Sequence, residues 1–170
     1  AAERANVAAK LGLSDCRDED MDLIAALYAL MEAAEVDMTI FFRALADADL
    51  ASPAVCGFEP AFYDPAKAQS AAPDLSSWLS RYAARVNEEN LGTEERRARM
   101  NRVNPRYALR NYLAQEAIDR AEQGDYQPIQ ELLEVMRRPY DEQPGRERYA
   151  TRRPDWARDR AGCSMLSCSS

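Results

Sequence analysis

The stretch Leu23-Ile24-Ala25-Ala26-Leu27-Tyr28-Ala29-Leu30-Met31-Glu32-Ala33-Ala34 decides the fold class. Leu23, Ile24, Leu27, Leu30, Met31 and Ala34 recur at three- and four-residue intervals, which gathers them on one face of a helix. Asp15 or Asp18 can cap that helix, and Asp18-Glu19-Asp20 complements its positive end. Downstream, Met38, Phe41, Phe42 and Leu45 repeat the spacing behind Asp37, a second capping candidate. The segment 23–45 is therefore two helices or one bent helix.

Working outward, residues 47–72 read as a break, because Pro53, Pro60, Pro65 and Cys56-Gly57 interrupt any long helix. Phe58, Phe62 and Tyr63 imply that the break still packs against something. Pro73 suits the first turn of the next helix, whose buried face is Leu75, Trp78, Leu79, Tyr82, Ala83 and Val86. Trp78 reads as a core anchor. Thr93 can cap a short Arg-rich helix, and Asn104-Pro105 can open a longer one with Leu109, Tyr112, Leu113, Ala117, Ile118 and Ala121 as its stripe and Gly124 as its stop. A last helix from Pro128 buries Ile129, Leu132, Leu133 and Met136. The expectation is an all-α array of about five or six helices over 1–137, followed by an irregular tail over 138–170. Tyr140, Tyr149 and Trp156 favour a tail laid across a surface.

Composition narrows the chemistry. The 170 residues carry a net charge of −7 with a pI near 4.8, which argues against a phosphate-backbone partner and so against nucleic acid. No apolar run approaches the roughly 18 to 20 residues of a membrane span. The opening Ala1-Ala2-Glu3-Arg4 reads as the middle of a helix and not as a targeting peptide. Residues 14–49 hold ten acids and two arginines, whereas 93–120 hold seven arginines and four acids, which reads as two solvated faces. The excess of Arg over Lys, 20 to 2, together with abundant Ala fits a GC-rich genome.

The absence of histidine removes imidazole acid–base chemistry and Cys₂His₂ zinc sites. The six glycines are isolated, so no phosphate-cradling loop is written here. The lysines Lys10 and Lys67 fall in an Ala-rich helix and a Pro-rich linker, not in an apolar strand, and no Asp-Phe-Gly occurs. Catalytic, cofactor-binding and metal-binding residues are accordingly expected to be none. Cys16 and Cys56 read as buried reduced thiols. Arg106 and Arg110, one turn apart on the polar side of the helix from Asn104, could grip a carboxylate or phosphate, or form salt bridges with Glu116, Asp119 or the acidic helices.

Three strings carry a resemblance: Asn104-Pro105-Arg106-Tyr107-Ala108-Leu109-Arg110-Asn111-Tyr112-Leu113-Ala114-Gln115, Arg138-Pro139-Tyr140-Asp141-Glu142-Gln143-Pro144, and the terminal Cys168-Ser169-Ser170. Together they resemble the C-terminal region of the SelO family, also called the YdiU family. The resemblance implies a kinase-like protein that transfers AMP from ATP to protein hydroxyls, with ATP and Mg²⁺ held upstream of this region. It also implies that the chain is a C-terminal fragment whose partners are the missing kinase-like core and protein substrates, in a bacterial cytoplasm.

Through the same resemblance Cys168 is a redox-regulatory position able to pair with a cysteine of that core. Cys163 has no family counterpart, and its spacing to Cys168 allows a local disulfide. Two other classes stay open. One is an autonomous helical interaction module, which an exposed patch over Leu109, Leu113 and Ile118 would favour. The other is a small thiol–disulfide protein using Cys163 and Cys168.

Overall fold

The computed structural model describes residues 2–160 and 162–163, which form seven α-helices and, among the described residues, no strand. The all-α architecture read from the apolar spacing is present. Contacts divide the chain into two compact units, Ala1–Asn104 and Pro105–Ser170.

The first unit contains α1 (Ala2–Lys10), α2 (Asp20–Ala33), α3 (Met38–Asp47), α4 (Pro65–Asn87) and α5 (Thr93–Asn101). Segment 23–45 is thus two helices, and Asp37 caps the second by accepting from the Ile40 amide at 3.1 Å. Neither Asp15 nor Asp18 caps α2. Its N-cap is Glu19, without a side-chain bond, while Asp20 turns back to accept from the Arg17 amide.

Helix α4 corrects the break at 47–72, which ends at Asp64. That residue caps the helix through the Ala66 amide at 2.8 Å, and Pro65 takes the first turn. Pro73 lies inside the helix instead of starting it. An interior proline costs about 3 kcal/mol, but each fully buried large apolar side chain contributes roughly 1.5–3 kcal/mol. Leu75, Trp78, Leu79, Tyr82 and Val86 are all buried along this helix, so tertiary packing wins.

Trp78 is the anchor. Its indole donates to the Leu23 carbonyl at 2.8 Å, and its ring stacks on Tyr82 at 5.1 Å and meets Phe41 edge-on. The Tyr82 hydroxyl donates to the Leu11 carbonyl, and burial pushes it up to about 12 against the pull of Arg96.

Helices α3 and α5 hold each other by their C-terminal ends. Arg96 of α5 is 2% exposed and donates to the carbonyls of Leu45, Ala46 and Ala48 at 3.0, 3.3 and 2.9 Å. Arg43 of α3 donates to the carbonyl of Asn104 at 3.2 Å, just beyond α5. Each cation thereby meets the unpaired carbonyls and negative end of its neighbour. Thr93 is the first residue of α5 and does not cap it; the N-cap is Gly92.

The second unit contains α6 (Asn111–Glu122) and α7 (Gln127–Arg137). Its core is formed by Tyr107, Tyr112, Leu113, Ala117, Leu132, Val135, Tyr149, Ala157 and Cys163. Asn104-Pro105 does not open α6, which starts seven residues later. The Asn104 side chain donates instead to the Lys10 carbonyl within the first unit. The Arg106 and Tyr107 amides, free of helical bonding, both donate to the Pro139 carbonyl at 2.8 and 3.0 Å. A long-range partner for the backbone has overridden a good local start signal. Leu109, Ile118 and Leu133 are exposed and do not join the buried stripes. The tail is laid on α6 and α7 through short 3₁₀ turns at Glu147–Ala150 and Asp155–Ala157.

Candidate functional site

Two of the strings singled out in the sequence meet in the second unit. Arg106 pairs with Glu142 at 3.0 Å, and the Gln143 amide donates to the Tyr107 hydroxyl at 3.2 Å. The Gln143 side-chain amide donates to the carbonyls of Val135 and Arg138, closing the C-terminal end of α7. The turn over 138–144 therefore ties down both the segment before α6 and the helix before the tail. Arg106 and Arg110 are not one turn apart on a helix: Arg106 lies in the extended segment and Arg110 is the buried N-cap of α6.

Beyond this turn the tail is clasped to α6. Tyr149 is 2% exposed, and its hydroxyl donates to Glu131, which also pairs with Arg146. Burial and then that bond raise the Tyr149 hydroxyl, while bonds from Gln127 and Tyr149 lower Glu131. Trp156 meets Tyr112 edge-on at 6.3 Å. Arg160 lies over Trp156 and donates to both oxygens of Asp119 at 2.8 and 2.7 Å. Gln115 and Arg160 together hold the Asp119 carboxyl below its usual range. At Gly162 the backbone has φ +84, which favours glycine, and a Cβ there would lie 2.7 Å from the Gln115 amide oxygen, so the chain passes close to the end of that α6 side chain.

Cys163 follows directly and is buried at 3% exposure in the core of this unit. A thiol so placed packs as a small apolar group. Cys168 and the Cys163–Cys168 pairing lie outside the described residues. Cys16 and Cys56 are free thiols, but not buried ones: Cys16 is half-buried and Cys56 is exposed on the loop after α3. The patch over Leu109, Leu113 and Ile118 is not formed, because Leu113 belongs to the core.

The clusters that composition did not reveal are built on arginine. Arg85 of α4 gives one nitrogen each to Asp20, Glu89 and Asp15, at 2.8, 2.7 and 2.9 Å. Glu89 also accepts from the backbone and hydroxyl of Ser14. Burial opposes the charge on Glu89, but the bonds from Ser14 and Arg85 outweigh it and lower its pKa. The only sequence signal was the spacing of Arg85 and Glu89 along one helix, which marks a local pair but not its distant partners.

A nucleotide with its magnesium needs a phosphate cradle and free carboxylates. Among the described residues no three Asp, Glu or Cys side chains form a metal-binding group, and the carboxylates of Asp15, Asp20 and Glu89 are engaged by Arg85. The residues present do not fit such a group. Among the described residues no helix is long and apolar enough to cross a membrane.

Comparison with known proteins sets this architecture in a family. The family model described as protein adenylyltransferase SelO matches residues 2–137. A relative named protein nucleotidyltransferase YdiU, from Xanthomonas euvesicatoria pv. vesicatoria (strain 85-10), is 63% identical over 170 residues, covering 100% of this chain and 33% of the relative. Proteins of the same name from Azoarcus sp. (strain BH72) and Aromatoleum aromaticum are 62% and 60% identical over 167 residues, each covering 98% of this chain and 32% of the relative. The chain spans about a third of the length of the curated relatives it matches. With a family match over most of its helices and this degree of identity along its length, the chain belongs to the SelO family of protein adenylyltransferases.

Proposed function

We propose that these residues are the C-terminal helical region of a protein adenylyltransferase that moves AMP from ATP to Ser, Thr or Tyr hydroxyls of other proteins in a bacterial cytoplasm. The helices brace a kinase-like core that binds ATP and Mg²⁺. The carrying observation is the alignment along the whole chain with relatives named nucleotidyltransferases, of which it spans only a third. Cys168 serves as a redox-regulatory thiol, and the clasp of Arg160 on Asp119, with Cys163 packed behind it, anchors the chain five residues before that thiol. Burial of Cys163 weighs against a dithiol enzyme built on Cys163 and Cys168.

Calorimetry and an adenylylation assay test the reading. The 170-residue chain should bind no ATP in the presence of Mg²⁺, whereas the chain extended to its relatives' length should label proteins with AMP. Cys168→Ser should remove the redox sensitivity of that labelling. Micromolar ATP affinity or adenylylation by the 170 residues alone would overturn the assignment.

A further inference from the structure

We propose that the groove between α1 and α2 seats an apolar segment with basic flanks, drawn from the part of the family's longer chain that lies outside these 170 residues. Val7, Ile24, Ala25 and Tyr28 line it together with Cys16 and Met21, around a volume of about 410 Å³. Its wall is unusual for α2. Leu23, Ile24 and Leu27 are buried as core, yet Met21 keeps 38% exposure and Ala25 is exposed. Glu3 and Arg4 complete a lining whose exposed surface is mostly apolar, and this leaves a small open seat for a short apolar segment.

Two observations choose the occupant. The first is length: the relatives are about three times as long as this chain, so about two-thirds of their polypeptide lies outside the matched residues and can supply a covering segment. A segment on the same chain reaches the groove at a high effective concentration and needs little affinity of its own. The second is charge. Residues 1–104 carry eighteen acidic and eleven basic side chains, and Arg4, the one cation in the lining, is already engaged by Asp18. An apolar segment flanked by Lys or Arg is therefore favoured over an acidic one. The inference rests on the chain being one part of a longer adenylyltransferase.

The groove contains its own probe, the half-buried Cys16, and the exposed Cys56 is an internal control. Iodoacetamide alkylation under native conditions is followed by mass spectrometry in the 170-residue chain and in the full-length chain. Cys16 should react at least tenfold more slowly in the full-length chain, with Cys56 unchanged. Equal Cys16 rates would overturn the docking.

Ala25→Glu, at an exposed position, should leave the melting temperature of the 170-residue chain unchanged and restore Cys16 reactivity in the full-length chain. Continued protection in that variant would also overturn it. Protection that disappears after unfolding, desalting and refolding would identify a small apolar ligand and end the proposal. Adenylyl transfer by the same full-length preparation is read separately. An inactive protein with protected Cys16 sinks the adenylyltransferase reading and sustains the docking, and an active protein with reactive Cys16 does the reverse.

Discussion

Replacing Arg96 with alanine removes a buried cation that supplies hydrogen bonds to three carbonyls at the end of α3. A hydrogen bond to a charged group contributes about 1.5–3 kcal/mol, and a buried acceptor left without a donor costs about 1–3 kcal/mol. The three bonds are not additive, because water entering the vacated volume re-satisfies part of the set. A loss of about 3–5 kcal/mol follows, from three carbonyls losing their donor at about 1–3 kcal/mol each with partial recovery by water. Domains of this size hold only about 5–15 kcal/mol in total, so the variant sits near the edge of folding.

Urea melts can read this directly, because each unit contains one tryptophan: Trp78 in the first and Trp156 in the second. In a Trp156→Phe background the fluorescence reports only the buried Trp78 against Tyr82. With a slope near 1.5 kcal/mol/M, inside the usual span of about 1–3, the midpoint should fall by about 2–3 M. Arg97→Ala is the control, since Arg97 pairs with Asp47 at 2.7 Å but is 48% exposed, and such surface pairs contribute about 0–1 kcal/mol. Arg96→Lys should recover only part of the loss, because one ammonium cannot span three carbonyls in a fixed fork. If Arg96→Ala shifts the midpoint no more than Arg97→Ala does, the α3–α5 clamp is not what holds these helices.

Gly12 has φ +74, and a Cβ there would lie 2.9 Å from Met100 Cγ and 3.0 Å from Arg96 Cγ, so Gly12→Ala should cost about 2–4 kcal/mol in the same melts. Gly57 also has positive φ but nothing within 4 Å, so Gly57→Ala should cost only about 1–2 kcal/mol. Pro73 is exposed inside α4 and lacks the amide its turn would use, so Pro73→Ala should raise the melting temperature, by roughly 1–3 kcal/mol of added stability. Glu89 has a folded pKa below its ordinary value of 4.5, so its contribution is present above that value and disappears as pH falls below it. Glu89→Gln should flatten the acid limb of a stability-against-pH curve below about pH 4.5 and lower the plateau at neutral pH.

The fold was legible where one helical face could be counted. Leu23 to Met31 and Phe41 to Leu45 announce α2 and α3 because burial and local spacing agree there. Local signals failed at two places for a shared reason. Pro65 and Pro73 are both tolerable prolines, and only the depth to which Trp78 and Tyr82 are buried decides that the helix runs through the second. Asn104-Pro105 is a sound start signal, but the Arg106 and Tyr107 amides that follow it found the Pro139 carbonyl, a partner more than thirty residues away that no local window contains.

The same limit explains what composition concealed at the candidate sites. The excess of arginine over lysine fits base composition, and it is also a structural requirement. Arg43, Arg85 and Arg96 are buried, and each fork meets several acceptors at once: two carbonyl positions near the end of α5, three carboxylates around α4, and three carbonyls closing α3. A lysine in any of these places brings a compact, strongly hydrated charge that would have to be stripped of water for fewer aligned bonds. These arginines join segments more than forty residues apart, from Arg43 to Asn104 and from Arg85 to Asp20, so their roles are invisible to periodicity. Cys16, Met21 and Ala25 are the converse case. Met21 and Ala25 sit on a helix whose apolar count suggested a finished core, with Cys16 in the loop before it, and only the geometry shows that part of this surface still faces water.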